Sequence, residues 1–265
     1  MITRSALVTA LLFCAGPAYG QIQTTLRPET TQRFLDYAKK VEAQLEARWD
    51  GKQPFESVEQ SPADLKKVLA GELLIRPGSP QNPISIPNGL IHDWLGDVFI
   101  PNVSMEKVLA ILQDFDRHQK IYPEIVRSTL LKRDGENFTG YWRLRQKNSL
   151  LPVALDVVQE AHYKQIGPGK WICRAYANDI SEIDNPGSSR EKKQTPGKGQ
   201  GLLWRMYAYW TLEVKNGGIL AECRSLSLSR DIPFGLSWAI KPFIQSVPRE
   251  SLESTLRNTR SAASK

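Results

Sequence analysis

The side chains able to do chemistry in this 265-residue chain are few and far apart. There are three histidines, His92, His118 and His162. His162 follows Glu160 at strand spacing, so the two share a polar face. His118 stands beside Asp116 and Arg117 at a helix end, where a capping or surface role outweighs catalysis. His92 precedes Asp93 and Trp94 near a first strand. No histidine pair has the spacing of a metal-binding helix such as H-E-x-x-H, and there is no paired-cysteine motif, so no metal site is expected. Gly235-Leu236-Ser237-Trp238-Ala239 comes nearest to a nucleophile elbow but lacks its final glycine. Gly197-Lys198-Gly199-Gln200-Gly201 leads into a strand, whereas a phosphate cradle needs a helix N-terminus. The sequence therefore assigns no catalytic residue and calls for no cofactor. What remains is a set of charges near aromatics, Arg143, Asp156 and Tyr209, with Arg224 opposite Tyr209 and Glu222 opposite Thr211. On a solvated face each such pair contributes about 0.2–1 kcal/mol. Facing a cavity, Arg143, Asp156 and Tyr209 would bind a ligand headgroup or do acid–base work on it.

The elements that must position these groups run helix, strands, helix. Val108, Leu109, Ile111, Leu112 and Phe115 have helical spacing over Ser104–Phe115, and a short strand precedes them around Asp93–Ile100. Asp134-Gly135, Asn148-Ser149 and Asn216-Gly217 punctuate long strands. If each is a two-residue turn, Leu131 faces Phe138, Leu144 faces Val153, Trp142 faces Leu155 and Gly140 faces Val157. In the last hairpin Leu212 faces Ala221, Trp210 faces Cys223 and Ala208 faces Ser225. One face then carries large apolar groups with small partners. The other carries Tyr141, Arg143, Tyr207, Tyr209, Glu213, Glu222 and Arg224, the alternation of an antiparallel sheet with one covered face. Leu236, Ile240, Phe243, Ile244 and Val247 return to helical spacing. Pro242 and Pro248 predict a kink that divides this last helix into two pieces. A curved sheet closed by such a helix encloses apolar space. Its expected lining is Trp142, Leu155, Trp204, Met206, Trp210 and Leu212 from the sheet, with Trp238, Phe243 and Ile244 from the helix. A filled core is the plainer reading of the same residues.

Residues 1–20 have the form of a signal peptide, with Arg4, an apolar stretch from Ala6 to Ala15, and Ala18-Tyr19-Gly20 before Gln21. The apolar run is short of the ~20 residues that span a bilayer, so periplasmic or secreted localisation is expected. The net charge of +7 falls to +6 without Arg4. The excess is scattered, which argues against nucleic acid and leaves room for weak peripheral contact with an anionic membrane. Thr30–Asp50 is an amphipathic helix with Phe34, Leu35, Ala38, Val41, Leu45 and Trp49 on one stripe. Ser61-Pro62 opens a second helix that Gly71 ends. Ile75–Ile86 carries Pro77, Pro80 and Pro83 and reads as a linker. Residues 184–201 form a long polar loop, either a lid or a mobile hairpin end. Cys173 and Cys223 sit mid-strand with at least one strand between them, so two buried free thiols are expected.

The order of elements resembles the START-related helix-grip superfamily. The passage Asp114-Phe115-Asp116-Arg117-His118-Gln119-Lys120-Ile121-Tyr122-Pro123-Glu124-Ile125-Val126 is similar to that superfamily's route from helix into first long strand. Ser227-Leu228-Ser229-Arg230-Asp231-Ile232-Pro233 resembles secreted bacterial members. The resemblance covers roughly Asn88–Arg260 and implies an α+β helix-grip fold there; the domain is drawn at residues 84–262, with a tail at 263–265 and, before it, a helical extension and linker at 21–83 that the resemblance does not explain. The resemblance also implies an apolar pocket for lipids, quinones, sterols or polyketides, and supplies no catalytic residue. The expected function is that of an exported binding protein for a hydrophobic small molecule or lipid. Two alternatives stand beside it. One is a cyclase- or dehydratase-type enzyme using Asp156, Tyr209 or His162. The other is a periplasmic adaptor whose N-terminal helices hold a protein partner.

Overall fold

Ser61-Pro62 starts the second N-terminal helix where the sequence places it, and Pro28 starts the first, two residues ahead of the expected Thr30. The computed structural model describes residues 23–146, 153–231 and 237–265. After a two-residue strand β1 (Thr24–Thr25), helix α1 runs Pro28–Trp49 and buries Thr30, Phe34, Ala38, Val41, Leu45 and Arg48, one stripe at steps of three and four. Leu35, expected on that stripe, is exposed. A 3-10 turn at Ser57–Gln60 leads to α2 (Pro62–Leu69), where Ser61 Oγ accepts the Asp64 N–H at 3.4 Å.

The proline-rich stretch is not a free linker. It supplies strands β2 (Leu74–Pro77) and β3 (Ile84–Ile86), both antiparallel to the long strand β4 (Gly89–Pro101). Then come α3 (Met105–Gln113), α4 (His118–Ile121), β5 (Ile125–Asp134), β6 (Asn137–Gln146), β7 (Val153–Gly167) and β8 (Lys170–Asp184). Short strands β9 (Lys192–Lys193) and β10 (Lys198–Gly199) lie in the polar loop, and β11 (Arg205–Lys215), β12 (Gly218–Ser229) and α5 (Ser237–Ala263) complete the chain. Along the sheet the order is β2-β4-β12-β11-β8-β7-β6-β5. An antiparallel meander that returns to a C-terminal helix is the helix-grip α+β arrangement expected.

Register follows the turns. Asn216 (φ 49°) and Gly217 (φ 74°) form the tight turn that sets Leu212↔Ala221, Trp210↔Cys223 and Ala208↔Ser225. The β6–β7 pair is shifted by two, giving Leu144↔Leu155, Trp142↔Val157 and Gly140↔Gln159. The last pair before the connection is Gln146↔Val153, and residues 147–152, including Asn148-Ser149, lie outside the described ones. An even shift keeps every side chain on its face. In β5–β6, Arg133 rather than Leu131 pairs with Phe138, because Asp134 already pairs with Asn137 and the turn is Gly135-Glu136; an irregularity between Leu130 and Lys132 then leaves Leu131 unpaired and exposed. Helix α5 is continuous through Pro242 and Pro248, where two pieces were expected.

Both faces of the sheet are covered, which corrects the expectation of one solvated face. The inner face packs against α3, α4 and the C-terminal part of α5. Its core joins Val98, Phe115, Phe138, Trp210 and Leu212 to Leu252 and Leu256. The outer face packs against α1, with Phe34, Ala38, Val41 and Leu45 against Tyr207, Tyr209, Leu226 and Leu228. Val58 and Val68 cover Phe99 and Leu220 beside them. The α1 stripe is thus part of the core rather than an exposed docking face. Cys173 and Cys223 are buried and free, each paired with Trp210 from opposite sides, so one strand separates them.

Candidate functional site on the inner face of the sheet

Six strands place one row of residues across the inner face: Trp94, Ser225, Ala208, Ala175, Ala161 and Phe138, each paired with the next. Strands lie about 4.8 Å apart, so the four small side chains form a low stretch of the sheet surface, a trough about 14 Å across, between two aromatic ends. Ala161 and Ala175 are covered by the core. Ala208 and Ser225 keep accessible surface although they sit on the two central strands β11 and β12. Trp94, Met206 and Trp142 around them are likewise only partly buried.

The end of the trough at β4 is polar. Ser227 pairs with His92, and the His92 Nε2 lies 3.0 Å from Ser229 Oγ. His92 Nδ1 and the indole N–H of Trp94 are buried without a hydrogen-bond partner. Burial lowers the His92 pKa to about 4, so the ring is neutral. A neutral imidazole and an indole N–H, two residues apart on one strand, offer a donor and a donor or acceptor to a polar atom of a ligand. On the far side Trp142 is held by its own N–H, which donates to His118 Nδ1 at 3.1 Å, and by Phe115 at a ring-centroid distance of 5.6 Å. A Cβ at Gly140 would overlap Phe115, so glycine is what lets that ring lie on the sheet.

The expected lining residues divide. Trp142, Leu155, Met206, Trp210 and Leu212 are all on the inner face. Leu155 packs with Val157, Ala177 and Ile180, and Trp142 and Met206 border that group. Trp210 and Leu212 are buried in the main core, where they fill space rather than line it. Trp204 is on the other side: it precedes β11, escapes the strand alternation, and packs with Phe34 and Tyr207 under α1. The side chains of Trp238, Phe243 and Ile244 lie outside the described ones.

The expected headgroup residues do not reach the trough. Arg143 and Asp156 are directly opposite each other, joined at 2.7 and 3.1 Å, on the outer face. Tyr141 donates to Asp156 at 2.7 Å, and Arg143 also holds Glu191 of the polar loop at 2.7 Å. Arg143 and Tyr141 together keep the Asp156 carboxyl below its usual range against its partial burial. The loop is therefore pinned to the outer face by β9, β10 and this ion pair. Tyr209 lies under α1, donating to Glu42 at 2.9 Å. His162 touches Asn137 at 2.7 Å in the open. Asp156, Tyr209 and His162 thus have three separate sets of partners and form no acid–base constellation. Ser225 was read as a small partner on this face, whereas His92, Trp94 and Ala208 were missed. The signal was present in the alternation of His92, Trp94 and Gly96 along a strand read too short.

With these elements in place the architecture can be named. The fold is a helix-grip α+β arrangement. No family model and no curated protein matches this sequence. Solved structures of START-like shape do match. A fragment of a STAR-related lipid transfer protein from Xanthomonas axonopodis is 18% identical, covering 67% of this chain and 96% of that one at a TM-score of 0.44. The lipid transfer and protein localization domain of human StarD13 is 11% identical, covering 80% and 98% at 0.41. The Zhui aromatase/cyclase from Streptomyces sp. R1128 is 9% identical, covering 66% and 94% at 0.39. These likenesses of shape bring no site residue to this chain, whose trough rests on its own geometry.

Proposed function

We propose that this chain binds a hydrophobic small molecule or lipid in the trough between the inner face of its sheet and α5, and holds it without chemistry. One observation carries the reading: Ala208 and Ser225, on the two central strands, retain accessible surface on the face that the helices cover. Apolar ligand surface buried there contributes roughly 25 cal/mol per Å². His92 Nδ1 and Trp94 Nε1 would meet one polar atom of the ligand, a hydroxyl or carbonyl oxygen, and so fix its direction. A hydroxyl or carbonyl head on an apolar body is the chemistry of sterols, quinones and polyketides. The signal-like residues 1–20 support a periplasmic or secreted site of action. Among the described residues no helix is long and apolar enough to cross a membrane.

Native mass spectrometry on protein purified from its own host, with organic extraction of bound material, tests the proposal. A stoichiometric apolar compound supports it and identifies the class. An apo mass that stays unchanged after challenge with lipids, quinones and sterols overturns it.

A further inference from the structure

The outer face holds a second site, independent of the trough. Asp97 on β4 and Glu222 on β12 pair directly across the strands, an arrangement that repels when both are charged. Glu56, at the start of the 3-10 turn, is laid over them. Side-chain oxygens of the three lie within 4.8 Å of one another, and exposures are 0%, 0% and 1% for Glu56, Asp97 and Glu222.

Their partners account for only part of this charge. Arg48 Nη2 meets Glu222 Oε1 at 2.7 Å, and Ser57 donates its N–H to Glu222 Oε2 at 2.8 Å and its hydroxyl to the same oxygen. Arg76 Nη1 meets Asp97 Oδ2 at 2.7 Å. Two guanidinium groups thus face three carboxylates. Asp97 Oδ1 is buried with no hydrogen-bond partner, and the buried Glu56 carboxylate, which faces the Glu59 N–H in a capping box, makes no bond of full hydrogen-bond geometry. A buried carboxylate left so is costly, and a counter-charge is what relieves it.

We propose that Glu56, Asp97 and Glu222 bind a hard divalent cation of calcium's size. A proton or a cation would each relieve the cluster, and the spacing suits a cation. Calcium binds oxygen at about 2.3–2.6 Å, so two ligands on opposite sides of one ion stand up to about 5 Å apart. Three oxygens within 4.8 Å of one another fit that sphere. The ion would tie the N-terminal extension to the sheet, since Glu56 comes from one and Asp97 and Glu222 from the other.

The test uses the full chain, stripped with EGTA and titrated with CaCl2, MgCl2 and TbCl3. Calcium at about a hundredfold over its Kd should raise Tm by about 5 °C or more. Terbium should luminesce by transfer from Trp49, whose Nε1 bonds Thr211 Oγ1 at 3.1 Å opposite Glu222, and calcium should quench it. Glu56→Gln should abolish both responses, with Asp97→Asn as a second variant, while Glu250→Gln on the exposed surface of α5 changes neither. No calcium shift and no terbium emission in the wild-type chain would overturn the proposal and leave a proton as the counter-charge. So would a calcium response that survives in Glu56→Gln, since the ion would then sit elsewhere.

Discussion

The indole N–H of Trp142 donates to Nδ1 of His118 at 3.1 Å, across the gap between the sheet and the short helix that precedes it. Because Nδ1 accepts, the ring proton is on Nε2, which donates to the Ile111 carbonyl at 3.2 Å. A protonated imidazole would carry a hydrogen on both nitrogens and turn one against the indole. Burial lowers the His118 pKa from 6.5 to about 4 accordingly.

That depression makes His118 an acid-labile element of the fold. The unfolded chain takes up the proton first, so the stability from neutral His118 is complete above pH 6.5 and is lost as pH falls toward 4. At 1.36 kcal/mol for each pH unit, the loss between pH 7 and 5 is about 2 kcal/mol. His118→Asn keeps an acceptor for the indole but cannot titrate. Urea unfolding of both proteins should show the wild type losing about 2 kcal/mol more than the variant over that interval. Equal slopes would place His118 in a solvated site.

Ala208→Leu should block the trough at its floor. The residue keeps accessible surface between Ser225 and Ala175 at the border of the main core, so three more carbons cover that surface first. Ligand retention should fall at least tenfold by native mass spectrometry, with Tm unchanged or raised. Trp210→Ala would mislead here. That indole is buried between Cys173 and Cys223, so its loss costs about 3–5 kcal/mol of stability and unfolds the site along with any ligand.

Arg224 should be needed for folding through Asp93. The guanidinium binds both oxygens of Asp93, at 3.0 and 2.7 Å, and Tyr37 of α1 adds a third bond at 2.6 Å. Asp93 is fully buried, so Arg224→Met leaves a charge without its counter-charge and should cost about 3–5 kcal/mol in a denaturant melt. Arg224→Met with Asp93→Asn should recover much of it. A double variant no more stable than the single one would show that the pair is not coupled.

The sheet and its two faces were legible because strand alternation survives an even register shift, as at Trp142 and Leu155. The last hairpin was legible down to each pair, because Asn216-Gly217 fixes a tight turn. Trp204 was misplaced because it lies one residue before β11, where alternation has not begun. The polar face was legible as polar but not as buried. Nothing local to Tyr209, Glu222 or Arg224 says that α1, more than 150 residues earlier, lies on them. The triad of Glu56, Asp97 and Glu222 has no spacing to read, since three separate segments supply it.

The N-terminal extension should therefore behave as core. Phe34 is 0% exposed and meets Tyr207 edge-on at 5.0 Å, with Leu45, Leu226 and Leu228 in the same cluster. Phe34→Ala removes a ring from a packed site and should cost about 3–5 kcal/mol. Deletion of residues 24–60 does more. It uncovers Tyr209, Thr211, Glu222 and Arg224 together and strips Glu222 of Arg48 and Ser57. The truncated chain should bind a dye for exposed apolar surface and elute as aggregate. An adaptor helix that only holds a partner would leave a monomeric, cooperatively unfolding remainder. A truncated chain with the wild-type Tm would show that α1 covers the sheet without stabilising it.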